Sequence, residues 1–320
     1  MKKFVYFEYG NAYEAYINNA AQLVPEAYTF IPFRNKWIMK MQILHNAWPL
    51  NNKKELPLKK IWFKRALKGM DLSGDDEIYF LLYESFHLSY SRRFLLYLKE
   101  KFPKSKRCFM YLNPVTDLIE GKIRKNEDCY EAIITFNEKD ALTHGLLLCE
   151  HQPYRLPIYK SENLATSDVF FIGSDKGRLP KLISIYEKLS MAGLKCDFYI
   201  IGVPEDKQLY KDAIAYNKKI SYEEVLQHVY ATKCVLEVLQ GNETYISIRT
   251  LEALQYHKKL LTENKKIKSY NFYDPQLIQV FSESGDIDIS FIKKDIGDIK
   301  SSTDIPGRAE EFHQFLIENV

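Results

Sequence analysis

The chain has 320 residues, of which 46% are apolar and 27% are charged, with 45 Lys and Arg against 42 Asp and Glu. This composition fits a soluble globular protein and excludes a disordered one, and the length suits two domains of common size. The five cysteines form no Cys-x-x-Cys pair, which favours a reducing cytoplasm over a disulfide framework or a zinc site. The first residues hold too short an apolar run for a signal peptide, and no segment has the apolar length of a membrane span.

The first element predicted is a strand at residues 4–7, followed by a turn at residues 8–11 and a helix at residues 12–23. A strand, a turn and a helix in this order are a Rossmann-like opening. The turn lacks the full Gly-x-Gly-x-x-Gly fingerprint. A dinucleotide-dependent dehydrogenase is therefore poorly supported.

The next segment, residues 34–68, is strongly basic and also rich in large apolar side chains. It holds ten Lys and Arg and a single acid, Glu55. Basic residues interleaved with aromatic and aliphatic ones suggest contact with an anionic bilayer surface or with nucleic acid. We favour the membrane, because no nucleic-acid-binding motif accompanies the segment, and we expect no nucleic-acid partner. The alternative is a solvated helix face beside ordinary core residues.

Apolar runs at residues 77–83, 107–112 and 132–136 predict strands, and residues 92–101 predict a helix between the first two. Short apolar strands alternating with helices indicate a parallel sheet, which binds ligands at the carboxyl ends of its strands. The polar side chains that follow two of these strands are candidates to face a ligand: Glu84, His87, Asn113 and Asp117. The alternative is that each is only a capping or turn residue.

The prolines and polar residues of 152–167 predict a connection between two domains. Beyond it, a strand at residues 169–173, a polar turn and a helix at residues 179–191 form a turn that is accessible to phosphate. Gly173, Lys176 and Arg178 are its candidate ligand-binding residues, and a plain strand-to-helix turn is the alternative. A further strand is predicted at residues 196–202, with Gly202 at its end.

Ser221 stands three residues before Glu224, and this capping box predicts that a helix begins at residue 222 and extends to about residue 230. A plain helix cap is enough to explain both residues.

The most informative stretch runs from residue 234 to residue 264 and reads CVLEVLQGNETYISIRTLEALQYHKKLLTEN. Its apolar spacing predicts a strand at residues 234–239, a helix at residues 247–254 and a short strand around Leu260, which together form a βαβ unit. In such a unit the helix begins beyond the carboxyl edge of the sheet, where its free amides attract phosphate. The candidate amides are those of Thr244, Tyr245, Ile246 and Ser247.

Two charged residues of the same helix extend this interpretation. Arg249 lies in the first turn, where it would assist a diphosphate, and Glu252 lies about one turn further, where it would accept hydrogen bonds from a diol such as ribose. Groups that bind a diphosphate, followed by a carboxylate that binds ribose, suit a nucleotide-sugar. The alternative is an ordinary amphipathic helix with a solvated Glu252.

The pattern Thr/Ser-x-Arg-x-x-Glu-Ala-Leu, followed by Lys-Lys-Leu-Leu-Thr-x-Asn, resembles the donor-binding segment of bacterial GT-B-fold glycosyltransferases of lipopolysaccharide or capsular polysaccharide synthesis. The resemblance covers about residues 168–281. It implies an α/β fold with two Rossmann-like parallel-sheet domains facing a cleft. It also implies that residues 244–247 hold the donor diphosphate, that Glu252 holds the ribose, and that the donor base lies near Ile220 and Tyr222.

The resemblance further implies a domain plan. Residues 1–160 would form the acceptor-side domain, residues 161–305 the nucleotide-sugar donor domain, and residues 306–320 a closing helix that packs back on the first domain. Glu8 would then border the cleft, and the candidates for a general base are Glu8, Glu84 and Asp117. A capping or surface role is the alternative for each.

The function that follows is a metal-independent glycosyltransferase of the hexosyltransferase class, acting on a growing cell-surface glycan. No Asp-x-Asp pair stands at a strand end, and Thr244 replaces the first of two glutamates that retaining members often carry. We expect no metal and no cofactor besides a nucleotide-diphosphate sugar as co-substrate, and a lipid-linked or oligosaccharide acceptor. The expected location is cytoplasmic and peripheral at the inner face of the membrane.

Three other functions stay open. The first is a CDP-polyol-type phosphotransferase on the same fold, and the second is a non-catalytic partner subunit that binds nucleotide or glycan. The third is a basic membrane- or nucleic-acid-binding protein, which would keep its main activity when Glu252 is replaced by alanine.

Overall fold

The computed structural model describes residues 1–7, 17, 19–21, 23–29, 36–51, 56–83, 92–150, 153–160, 164–240, 245–297 and 307–320. The chain divides into two compact units, Met1–Arg155 together with Gly307–Val320, and Leu156–Pro306. Each unit contains one six-stranded sheet. The α/β fold class predicted from the sequence, with two Rossmann-like units each built on a parallel sheet, is confirmed.

The sheet of the first unit is parallel at every strand pair. Its strand order is β2-β1-β3-β4-β5-β6, so the chain reverses its direction across the sheet between β1 and β3. The strands are β1 (Lys2–Phe7), β2 (Ala27–Thr29), β3 (Glu77–Tyr83), β4 (Lys106–Met110), β5 (Ala132–Thr135) and β6 (Leu147–Leu148).

Helices accompany this sheet, and buried aromatic side chains fill the space between them and the strands. Phe80 on β3, Phe94 on a following helix and Phe109 on β4 have almost no exposed surface. Strands covered on both faces need apolar side chains at every position, which explains the uninterrupted run EIYFLLY. The helices are α1 (Lys36–Asn46), α2 (Trp48–Asn51), α3 (Lys60–Ala66), α4 (Arg92–Lys101), α5 (Asp117–Arg124) and α6 (Glu138–His144).

The sheet of the second unit is also parallel throughout and has the strand order β12-β11-β10-β7-β8-β9. Its strands are β7 (Ser167–Ser174), β8 (Cys196–Ile201), β9 (Ile214–Tyr216), β10 (Thr232–Glu237), β11 (Lys259–Thr262) and β12 (Ile278–Val280). Its helices are α7 (Leu179–Met191), α8 (Tyr222–Ala231), α9 (Ile248–Gln255) and α10 (Ile289–Lys293). Here the reversal falls between β7 and β10.

Local sequence explains where several of these helices begin and end. Gly193 follows α7 with a φ of 75°, a left-handed conformation that glycine adopts without strain. Both hydrogen bonds of the predicted capping box at Ser221 and Glu224 are present at the start of α8. The strand predicted at residues 234–239 is shifted by two residues, because β10 spans Thr232–Glu237.

The last helix, α11 (Ala309–Asn319), belongs to the first unit. Its His313 ring stacks on Phe4 of β1 with 3.6 Å between the ring centroids. The Nε2 atom of His313 shares a hydrogen bond of 2.7 Å with the Tyr6 hydroxyl. Burial lowers the pKa of His313 to about 4, so the helix is held to β1 by a neutral imidazole.

This contact makes the stability of the first unit dependent on pH. The contribution of neutral His313 is complete above its ordinary pKa of 6.5 and is lost as the pH falls through about 4. We expect the loss to reach about 3 kcal/mol, since each pKa unit corresponds to about 1.4 kcal/mol. His313→Gln, which cannot titrate, should flatten this part of the profile. Denaturant unfolding across the pH range measures both proteins, and parallel profiles would contradict the expectation.

Candidate functional site

The candidate site lies at the carboxyl edge of the second sheet, where the strand order reverses. β7 and β10 are neighbours and run in the same direction, with Val169 paired with Cys234. The loops that follow these two strands therefore emerge side by side. In open α/β sheets, ligands bind outside the carboxyl ends of the strands at such a reversal.

Two basic residues of the loop after β7 join it to the loop after β10. The Arg178 guanidinium donates hydrogen bonds to the carbonyls of Ser174 and Val238. The exposed Lys176 donates through Nζ to Gln240 Oε1 at 2.8 Å. The two predicted phosphate-binding cations are therefore at the reversal point, and Arg178 also fixes the loop backbone.

Gly173, at the end of β7, permits this arrangement. A Cβ atom added there would lie 3.1 Å from the Phe171 ring and 3.2 Å from Arg178 Nη2. Both distances are shorter than nearly all contacts that Cβ atoms make in proteins. A larger residue would therefore require the Phe171 ring and the Arg178 guanidinium to shift by a few tenths of an ångström.

The start of α9 lies beyond β10 and is capped by Ser247. The Ser247 Oγ atom accepts hydrogen bonds from the backbone amides of Arg249 at 3.0 Å and Thr250 at 3.4 Å. An N-cap side chain normally takes these amides. A ligand at this helix end therefore needs the amides that precede Arg249. Thr244, predicted to supply one of them, lies outside the described residues.

The buried carboxylate of Glu237, at the end of β10, accepts hydrogen bonds from side chains at this helix start. Its Oε1 atom accepts hydrogen bonds from the hydroxyls of Ser247 and Thr250, the latter at 3.1 Å, and its Oε2 atom accepts one from Thr262 of β11. Burial raises the pKa of Glu237 above its usual range. Glu237 was not predicted from the sequence as a site component. Its signal was a carboxylate inside an otherwise apolar strand.

Glu252, the predicted ribose ligand, is also fully buried. Its Oε1 atom accepts a hydrogen bond of 2.6 Å from the Tyr222 hydroxyl, and its Oε2 atom pairs with Arg249. Burial raises the pKa of Glu252, and Arg249 opposes this effect. The structure thus brings together Tyr222, Arg249 and Glu252, which the sequence had assigned to one donor site.

The remaining predicted residues of this unit lie around the same edge of the sheet. Gly202 follows β8 with a φ of 84°, and its amide donates to Asn217 Oδ1 at 2.7 Å. Ile220 is half-buried and directly precedes the cap of α8. Ile246 is buried, and the carbonyl of Tyr245 accepts a hydrogen bond of 3.0 Å from Asn264 Nδ2. Asn217 and Asn264 order these loops through their side-chain amides and were not predicted from the sequence as site residues.

The three general-base candidates belong to the first unit, and the structure describes none of their side chains. Glu8 and Glu84, like His87, lie outside the described residues. Asp117 is the first residue of α5, and its side chain is not among those described. All three proposed bases therefore stay predictions. Among the described residues, no group of three or more His, Cys, Asp or Glu side chains could hold a metal ion.

No protein-family model matches this chain, and no curated protein sequence matches it. Among solved structures, the UDP-GlcNAc 2-epimerase from Neisseria meningitidis, bound to UDP-GlcNAc, aligns over 100% of both chains with a TM-score of 0.48 and 10% sequence identity. The glycosyltransferase SnogD from Streptomyces nogalater aligns over 99% of both chains with a TM-score of 0.41 and 11% identity. A likeness this distant assigns no activity to the chain.

The hydrogen bonds of Glu237 lead to a stability test. Glu237→Ala would leave the buried hydroxyls of Thr250 and Thr262 and the half-buried hydroxyl of Ser247 without their acceptor, and each buried unsatisfied group costs about 1–3 kcal/mol. We expect a clear loss of thermal stability, a smaller loss for Glu237→Gln, whose amide oxygen still accepts, and almost none for the exposed control Glu223→Ala. Calorimetric unfolding measures all three variants. A Glu237→Ala protein as stable as the control would show that the network is unimportant.

Proposed function

We propose that the chain is a glycosyltransferase that moves a sugar from a nucleotide-diphosphate donor to a growing cell-surface glycan, of the lipopolysaccharide or capsule type. The observation that carries the proposal is the convergence of Lys176, Arg178, Arg249 and the start of α9 at the strand-order reversal of the second sheet. Three cations and a helix N-terminus at one sheet edge suit an anionic, phosphate-bearing ligand.

In this proposal the donor diphosphate lies against the amides of residues 244–247. Lys176 is exposed, and its ammonium donates a hydrogen bond to Gln240, so it can turn toward a phosphate at small cost. Arg178 and Arg249 act from fixed positions, because each is already bonded to the protein. Positive charge held at this point stabilises the nucleotide diphosphate that leaves when the glycosidic bond forms.

The ribose is assigned to Glu252, as the sequence predicted, with one addition that comes from the geometry. The Tyr222 hydroxyl donates a hydrogen bond to Oε1 of Glu252, and Glu252 is fully buried. We propose that the ribose diol displaces this hydroxyl and takes its place as donor to the carboxylate. Tyr222 would then contact the base, together with the backbone near Ile220 and the loop at Gly202.

The acceptor side is assigned to the first unit. A carboxylate there would take the proton from the acceptor hydroxyl as it attacks the anomeric carbon, and the candidates are Glu8, Glu84 and Asp117. The acceptor in this proposal is lipid-linked or an oligosaccharide. The nucleotide-sugar is consumed as a co-substrate, and the proposal includes no resident cofactor.

The binding part of the proposal is tested with a matched pair of lysine variants. Lys176 lies at the carboxyl edge of the second sheet, and the exposed Lys195 precedes β8 at the opposite, amino edge. We expect Lys176→Ala to weaken binding of a nucleoside diphosphate roughly 10-fold, equivalent to about 1.4 kcal/mol, and Lys195→Ala to leave it unchanged. Calorimetry with UDP, GDP, CDP and ADP measures the affinities. Equal effects of the two variants would indicate that the nucleoside diphosphate does not bind at Lys176.

The chemical part is tested by incubating the intact protein with the sugar form of the nucleotide that binds. Transfer to an added glycan acceptor, followed by NMR, supports the proposal. Two other results would contradict the proposed reaction but agree with the proposed binding site. One is conversion of the donor into an epimer without acceptor, and the other is transfer of a phosphorylated polyol from a CDP donor. Tight binding without turnover would identify a non-catalytic subunit.

A further inference from the structure

The helix α1 presents an apolar stripe to solvent. Trp37, Met41 and Leu44 stand at positions i, i+4 and i+7, and their exposed fractions are 76%, 62% and 62%. Side chains at this spacing share one helix face. A helix on the surface of a domain normally turns such a face inward, whereas in α1 the buried residue is the polar Gln42.

Further exposed apolar side chains lie on α3 and in the turn before it. Leu58 and Ile61 are both more than half exposed. Trp62 of α3 donates a hydrogen bond of 2.8 Å through Nε1 to His45 Nδ1 of α1, so the two helices are in contact at this point. We define the α1–α3 surface by its exposed apolar members, which are Trp37, Met41, Leu44, Leu58 and Ile61.

Positive charge surrounds this surface. The described residues 36–51 and 56–68 include seven Lys and Arg and no Asp or Glu, although the whole chain has 45 basic and 42 acidic residues. The Nζ atom of Lys40 lies 5.6 Å from the centre of the Trp37 ring. Further exposed cations lie on or beside α3, namely Lys60, Lys64, Arg65 and Lys68.

We propose that the α1–α3 surface docks on an anionic phospholipid bilayer. Trp37, Met41 and Leu44 enter the headgroup region, and the surrounding Lys and Arg side chains bind lipid phosphates. A bilayer offers apolar depth and negative charge in the same plane, and interfacial helices combine Trp or Leu on one face with Lys or Arg beside it for that reason. Nucleic acid matches the charge but offers no partner for the aliphatic side chains of Met41, Leu44 and Ile61. Within the described ranges, no helix has the length and apolar character needed to cross a membrane.

The proposal is independent of the proposed transferase activity, and its test uses the full chain. Vesicles of phosphatidylcholine alone, and vesicles with phosphatidylcholine and phosphatidylglycerol in equal parts, are sedimented with the protein. We expect binding to the mixed vesicles to be at least about 10-fold tighter, because each Lys or Arg near an anionic surface contributes about 1 kcal/mol. Raising the salt concentration should weaken it.

Two sets of variants separate the apolar and the electrostatic contributions. We expect Trp37→Ser/Met41→Ser/Leu44→Ser and Lys60→Glu/Lys64→Glu each to reduce mixed-vesicle binding at least about 10-fold. The matched controls are Leu142→Ser and Lys139→Glu, which change exposed residues of the first unit outside the α1–α3 surface. All the changed positions are exposed, and unchanged melting temperatures verify that each variant folds.

Several results would overturn the proposal. One is equal binding to the two kinds of vesicle, and another is a triple variant that binds as tightly as Leu142→Ser. A wild-type dimer that the triple variant converts to monomer in sedimentation velocity would assign the surface to a second copy of this chain. Tight binding of duplex DNA that persists in the triple variant would assign the charge to nucleic acid. Nucleoside diphosphate affinity should be the same in the wild type and the triple variant, so failure here leaves the transferase proposal untouched.

Discussion

Two carboxylates without contact with solvent, Glu237 and Glu252, hold the start of α9 in place. Burying a charge is costly unless hydrogen-bond donors surround it, and here every carboxylate oxygen has at least one donor. The donors come from β11, α8 and α9. Replacing either carboxylate by an apolar side chain would therefore leave hydrogen-bond donors of more than one element without an acceptor.

The order of the strands determines where loops and helix starts come together to bind a ligand. In the second unit the reversal between β7 and β10 places two loops and a helix start at one edge, and Lys176 and Arg178 link the loops. The first unit has the same kind of reversal between β1 and β3. In the sequence, Glu8 directly follows β1 and Glu84 directly follows β3, and both stay predictions as general bases, like Asp117.

Much of the fold was predictable from the sequence, because long apolar runs and helix caps are local signals. The strand at residues 77–83 and the helix at residues 179–191 have the predicted bounds. The three-residue strands β2 and β9 were missed because so few residues carry no periodicity. The role of Glu237 was also missed, since its donors Ser247, Thr250 and Thr262 are distant in sequence. Spacing alone likewise cannot tell which face of α1 is exposed.

The central claim is that the helix start at Ser247 binds a nucleoside diphosphate and that Glu252 recognises its ribose. Calorimetry of wild type and Glu252→Gln, each with the nucleoside diphosphate that binds best and with inorganic pyrophosphate, separates the two parts of the ligand. We expect the variant to lose affinity for the nucleotide and to keep its affinity for pyrophosphate, which lacks a ribose. Equal nucleotide affinity in the two proteins would contradict the ribose assignment, and a wild-type protein that binds no nucleoside diphosphate would contradict the account as a whole.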